Sequence, residues 1–149
     1  MNGIKIRHAT SKDVTVLFDL IMAIAKHHNQ EAYVLTDKDE LLKEGFGEAP
    51  KFYVLLAEYE KEIAGYLSYT WNYSIWNGKN YMNLDDLFVK EKFRGLKIGQ
   101  ELIQRAKSLC ANESSGLMRR EVEKDNHKAI QFYNRLGAKM VEKGIFRWI

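Results

Sequence analysis

Cysteine is nearly absent from this chain of 149 residues: Cys110 stands alone, so no intramolecular disulfide can form and a disulfide scaffold is excluded. Proline is as scarce, with Pro50 the single one, and no low-complexity tract or internal repeat divides the chain. No apolar run approaches the roughly 20 residues that cross a bilayer. The opening Met1-Asn2-Gly3-Ile4-Lys5 lacks the apolar stretch and cleavage site of a secretory signal, so a cytoplasmic protein is expected. An excess of one charge is missing too. Lys and Arg number 23 against 20 Asp and Glu, a net +3. The signs interleave in Lys90-Glu91-Lys92 and Glu121-Val122-Glu123-Lys124, the pattern of a solvated mixed surface rather than a basic stripe. Neither nucleic acid nor membrane is expected as a partner. What is present suffices for one core: 46% hydrophobic and 12% aromatic residues, the material of a single folded domain over residues 1–149.

The pattern along the chain is mixed α/β. Residues 3–9 alternate apolar and polar side chains as a first strand. Thr10 and Asp13 have the spacing of a capping box, and Val14, Leu17, Ile21 and Ile24 recur at helical spacing, carrying a first helix to about His28. A short second helix is expected from Thr36, with Asp39 in the capping position, to Gly45 as a left-handed C-cap. Residues 52–58 and 63–73 predict two strands joined by a polar turn at Glu60-Lys61-Glu62, and Asn77-Gly78 turns the chain into a strand over 81–89. Ile98, Leu102, Ala106, Leu109 and Cys110 mark a third helix. A fifth strand is expected over 117–122, then a fourth helix capped by Asn126 and closed by Gly137, with room for one or two terminal strands over 140–149. Helices alternate with strands only in the second half, which predicts a mixed sheet.

The segment with the clearest chemical content is Arg94-Gly95-Leu96-Lys97-Ile98-Gly99, which follows a strand and opens an amphipathic helix. Its glycines let main chain approach a ligand, and a helix N-terminus offers free N–H groups and partial positive charge to a phosphate or pyrophosphate. It is neither a P-loop nor a GxGxxG dinucleotide fingerprint. It resembles the Gln/Arg-x-x-Gly-x-Gly/Ala motif of the GNAT superfamily of N-acetyltransferases, with Lys97 standing where glycine is common. The resemblance extends along almost the whole chain: Ile6-Arg7-His8-Ala9-Thr10, Leu84-Asp85-Asp86-Leu87-Phe88-Val89, and Asn126 with Ala129-Ile130-Gln131-Phe132-Tyr133 and Leu136-Gly137-Ala138. Leu35-Thr36, Leu41-Leu42, Gly45-Phe46-Gly47-Glu48 and Trp76-Asn77-Gly78-Lys79 resemble stretches of the diamine (spermidine/spermine) and thialysine acetyltransferases within it. That likeness implies a twisted, splayed mixed sheet of six to seven strands flanked by four helices, and a homodimer. It implies acetyl-CoA as co-substrate, with no metal. The cofactor would lie along the main chain of Leu87, Phe88 and Val89, on Arg94, Gly95, Leu96, Lys97, Ile98, Gly99 and Gln100, and against Asn126 and Ala129.

Acetyl transfer to an amine makes two demands. An ammonium with a pKa of about 10.4 is neutral in only about one molecule in 2,500 at pH 7, a handicap of roughly 4.6 kcal/mol. A nearby carboxylate can attract the ammonium and take its proton. The resemblance implies Asp85 in that role, although adjacent strand residues face opposite ways unless a bulge intervenes, which leaves the choice between Asp85 and Asp86 open. The departing thiolate, with a thiol pKa near about 8.5, is matched by a phenol as proton donor. Tyr133 lies on the same helix face as Asn126, and the resemblance implies it as the general acid. Asn126 caps its helix, bonds the pantetheine arm, or does both. His28 and Glu31 stand among candidate substrate contacts, whereas Cys110 falls on an apolar stripe and reads as packing. Leu67, Tyr69, Trp71 and Tyr73 alternate on one strand face as core, as a dimer contact, or as rings that hold an ammonium.

The reading is an acetyl-CoA-dependent N-acetyltransferase of a small primary amine, with polyamine and thialysine-like acceptors both open. Two readings of other classes stand beside it: a protein lysine or N-terminal acetyltransferase, and a non-catalytic acyl-CoA-binding module.

Overall fold

The computed structural model describes residues 3–149; Met1 and Asn2, part of the opening read above for a signal segment, lie outside them. The sheet has five strands in sequence order, β1 (Ile4–His8), β2 (Tyr53–Tyr59), β3 (Glu62–Ser74), β4 (Lys79–Val89) and β5 (Met118–Arg119). The first four pair antiparallel, and β4 and β5 run parallel. Helices α1 (Val14–His27), α2 (Lys38–Phe46), α3 (Ile98–Glu113) and α4 (His127–Arg135) flank it.

Local chemistry places most element ends. The Thr10–Asp13 capping box forms, closing a 3-10 turn at Ser11–Asp13 that leads into α1. Arg7 bonds Asp13 at 2.8 Å and Glu58 at 2.7 Å, fastening β1 to that turn and to β2; this holds the Asp13 carboxyl down at about 2. The β2–β3 hairpin turns on Glu60 and Lys61 at φ 50° and 67°, the left-handed pair that suits the twist of the flanking strands.

The second helix departs from expectation at both ends. Asp37, not Asp39, caps it, accepting from the Glu40 N–H at 2.8 Å, and it runs through Gly45 to Phe46. Gly45 is needed for space instead: a Cβ there would collide with the Phe52 ring.

Strand parity divides the core. Leu55, Ala57, Leu67, Tyr69, Met82 and Leu84 face α3, where Ile98, Leu102, Ile103, Ala106 and Cys110 bury against them. Val54, Leu56 and Tyr66 face the other way, onto Leu17 and Leu20 of α1. Leu67 and Tyr69 are therefore core, while Tyr73 and Trp76 are exposed, Trp76 at 98%. Cys110 is buried as packing predicts.

The sheet has one or two strands fewer than expected at its C-terminal edge. The fifth strand is two residues long instead of spanning 117–122, and residues 136–149 form no helix or strand, so the terminal strands over 140–149 are absent and the count is five rather than six to seven. A strand exists by its pairing, and β4 and β5 share only Met82↔Met118 and Asn83↔Arg119 before they part. The tail leaves Phe146 and Trp148 88% and 91% exposed.

Candidate active site

Past the point where β4 and β5 stop pairing, a cavity of about 570 Å³ lies against the end of β4, lined also by the end of α1, the start of α3, Arg120 and α4. Its floor is Leu87, Phe88 and Val89 of β4, and one wall is Arg94, Gly95 and Lys97 with the first turn of α3. Lys97 adopts φ 66° immediately before α3 and makes no side-chain cap, so the first N–H groups of that helix stay open. Gly95 has φ 82°, with nothing within 4 Å of where a Cβ would stand. Arg94 is tied back by its Nε to the Val89 carbonyl at 3.0 Å. Of the residues named for the cofactor, all line this cavity except Leu96. An anionic, elongated ligand with a pyrophosphate fits this arrangement of open amides.

The opposite wall is α4. Asn126 accepts the Ala129 N–H at 3.2 Å and so caps the helix. Tyr133, seven residues on, lines the same cavity. Desolvation pushes its phenol pKa up, while the charge of Arg120 pulls the other way.

The acidic pair sits at a β-bulge. Ser68 pairs with Asp86 and Tyr69 with Leu84, so Asp85 is the extra residue between them. The extra residue reverses the parity of the strand. Met82 and Leu84 face α3 before it and Leu87 and Val89 after it, which turns Asp86 and Phe88 toward α1 beside their cross-strand partners Ser68 and Tyr66. Both carboxylates consequently border one cavity of about 210 Å³, walled by Leu17, Ile21, Leu41, Phe52 and Val54. Ser68 donates to Asp86 Oδ2 and accepts from its N–H, both at 3.1 Å; Asn83 Nδ2 donates to Asp85 Oδ1 at 2.9 Å. Partial burial and the charge of Asp86 raise the Asp85 carboxyl above the ordinary carboxylate range. The Tyr66 hydroxyl is buried in the same cavity without a hydrogen-bond partner, and burial and Asp86 push its pKa up.

The other substrate contacts named from sequence separate. His28 is exposed and lines the larger cavity with His27, whereas Glu31 borders neither. Trp71 and Tyr73 also lie outside both cavities. Three residues escaped the sequence reading: Tyr66 and Ser68, whose neighbours across the strand are known only from register, and Arg120, which lines the larger cavity against Tyr133. A signal for Arg120 existed: with Met118 half-buried and Arg119 exposed, alternation turns the next residue inward, where a charge is unusual.

Comparison with known proteins agrees. The model of the acetyltransferase (GNAT) family matches residues 16–138. Thialysine N-epsilon-acetyltransferase of Bos taurus is 30% identical over 93% of this chain and 85% of that protein. Spermidine/spermine N(1)-acetyltransferase-like protein 1 of Homo sapiens is 33% identical over 93% of this chain and 21% of that protein. The crystal structure of an aminoglycoside acetyltransferase from an uncultured soil metagenomic sample superposes with a TM-score of 0.82 at 21% identity, over 99% of this chain and 96% of that one, and shows the shared fold.

Proposed function

Because the chain belongs to the acetyltransferase (GNAT) family, it is an acetyl-transferring enzyme, and we propose that it passes the acetyl group of acetyl-CoA directly to a small primary amine. The observation that carries this reading is the bulge in β4. It points Asp85 and Asp86 into the smaller cavity and leaves Leu87, Phe88 and Val89 on the larger one, opposite Tyr133.

Acetyl-CoA, when bound, supplies a reactive thioester. The main chain of Leu87–Val89 and the open amides before and within the first turn of α3 hold it, with Asn126 at the edge of α4. Apolar walls from Leu17, Ile21 and Leu41 suit the methylenes of the amine, and the acidic floor suits its ammonium. Asp85, with its raised pKa, attracts the ammonium and takes its proton, freeing the nitrogen lone pair. As the N–C bond forms and the C–S bond breaks, the nitrogen gives up its second proton to solvent, and Tyr133 gives its phenolic proton to the departing sulfur and regains one from solvent. No bond to the enzyme forms at any stage.

A cavity of about 210 Å³ favours a side-chain-sized acceptor over a peptide, and Asp85 and Tyr133 beside the two cavities argue for catalysis over acyl-CoA binding alone. The relatives named for thialysine and for spermidine/spermine support an aliphatic amine. A homodimer in the cytoplasm completes the reading; the apolar tail with exposed Phe146 and Trp148 supports a second copy covering it. The test is release of the CoA thiol from acetyl-CoA in the presence of spermidine, spermine, putrescine, thialysine, lysine and a lysine peptide. Turnover of one or more small amines is the expected result, and turnover of the peptide alone would replace this reading with the protein-acetylating one.

A further inference from the structure

Arg120 follows β5, on the stretch that leaves the sheet toward α4. Its Nε and Nη1 are sealed from solvent and have no hydrogen-bond partner. The guanidinium carbon lies 5.7 Å from the centre of the Tyr133 ring, and the side chain lines the larger cavity. Its neighbours do not neutralise it: Arg119 and Glu121 face each other at 3.6 Å. Its charge is felt at Asp85, Tyr66 and Tyr133, drawing each toward its ionised form. Beyond its contact with the Tyr133 phenol, two donors of this charged group are sealed away without an acceptor, which is costly, so the working state must bring an acceptor to them.

The site is thus dipolar. Asp85 and Asp86 border the smaller cavity on the β4 side, and a guanidinium without an ion-pair partner lines the larger cavity on the α4 side, within electrostatic reach of Asp85. A polyamine carries cations only, and would satisfy the acids while leaving Arg120 unpaired or opposed by like charge. An amino acid with a side-chain amine carries one group for each end, and a carboxylate is the acceptor that a guanidinium bonds best.

Resting on the acetyl-transfer reading above, we propose that Arg120 binds a carboxylate of the amine acceptor, so that the preferred acceptor is a zwitterionic amino acid rather than a polycation.

The experiment uses acceptors that differ only in the carboxylate: thialysine against bis(2-aminoethyl) sulfide, lysine against cadaverine, and ornithine against putrescine. With the wild-type enzyme, kcat/KM is expected to favour the carboxylate-bearing member of at least one pair by about tenfold or more, the scale of a hydrogen bond to a charged group. Arg120→Gln is expected to shrink that ratio by about the same factor, chiefly through KM, with Arg120→Lys between the two. An equal fall for both members of each pair overturns the proposal and assigns the guanidinium to the thioester carbonyl instead. A wild-type preference for the diamines, or an unchanged ratio in Arg120→Gln, overturns it as well.

Calorimetric titration of the same pairs into the CoA-bound wild-type protein reads the preference without turnover or mutation. Tighter binding of the carboxylate member supports the assignment even if a variant fails to fold, and equal affinities overturn it. Failure of every amine to turn over would count against the acetyl-transfer reading, while the titration would still decide whether the carboxylate is recognised.

Discussion

The two cavities that flank β4 are built differently. The larger takes half of its lining from one short run of chain, residues 87–100, where it offers strand main chain, a left-handed turn and the open end of α3. The smaller is assembled from side chains on α1, α2, β2, β3 and β4 that lie far apart in sequence. A cavity made of main chain tolerates side-chain change and suits a ligand that does not vary. A cavity made of side chains from many elements can be retuned one residue at a time, which suits the partner that sets specificity. Arg120 apart, which lines the larger cavity but acts toward Asp85 across the junction, substitutions in one cavity should move the KM of one substrate only, and the group between them should move the chemical step alone.

The largest effect is expected at that junction. Tyr133→Phe removes the proton donor and little else, because Tyr133 packs through its ring against Phe132 and Arg120. Loss of a general acid corresponds to about 10²–10⁴ in rate. The fall should appear in kcat, with both KM values and the thermal midpoint close to wild type. Steady-state kinetics beside a melting curve check it, and turnover within a few-fold of wild type would remove Tyr133 from the mechanism.

Asp85→Asn should come next, at about 10²-fold in kcat, and it reads the smaller cavity. The carboxyl must be ionised to accept a proton, and its pKa is raised by partial burial and by Asp86. Activity should therefore fall on the acid side at a pH above that of an ordinary aspartate, and the Asn variant should lose that limb. KM for the amine should rise with loss of the attraction to its ammonium, while KM for acetyl-CoA stays put. The sign for stability is opposite. A group whose pKa is higher folded than unfolded stabilises below its unfolded value and loses that contribution as pH rises through the folded one. At neutral pH the Asp85 carboxylate is thus held at a cost, and Asn should melt no lower than wild type. A rise in the acetyl-CoA KM equal to that for the amine would break the division between the cavities.

The same division explains what could be read from sequence. The phosphate-binding turn, its helix and the strand before it are contiguous, so two glycines before an amphipathic helix point to that wall of the larger cavity, and the family resemblance extends the reading to β4 and α4. Of the residues read for the cofactor, only Leu96 does not line that cavity. The smaller cavity depends on strand register. The bulge at Asp85, which turns Asp86 beside Ser68 and Tyr66, arises from pairing between β3 and β4 and leaves no local signature. Glu31 has the right charge, but its place in the 3-10 turn Glu31–Tyr33 puts it outside both cavities. The missing terminal strands have the same cause. Val141, Ile145 and Phe146 have strand propensity, but a strand needs an edge to pair with, and only two residues of β5 pair with β4.

The smallest effect is expected at Lys97, and it bears most directly on whether the larger cavity works through main chain. The residue holds φ 66° where relatives of this motif favour glycine. A left-handed conformation costs a residue with a Cβ roughly 1–2 kcal/mol, and glycine loses about 0.5–1 kcal/mol in extra unfolded-state freedom. Lys97→Gly should then stabilise the fold by less than about 1 kcal/mol, visible as a small rise in melting temperature. Lys97→Ala keeps the backbone strain and removes only the ammonium, so the pair of variants separates shape from charge. If the amides alone hold the pyrophosphate, both variants should keep KM for acetyl-CoA within about twofold of wild type, since no strong charged bond is lost. A rise of about tenfold in both would show that the side chain binds the phosphate, and a rise in Lys97→Gly alone would show that the strained turn is needed to keep the helix end open.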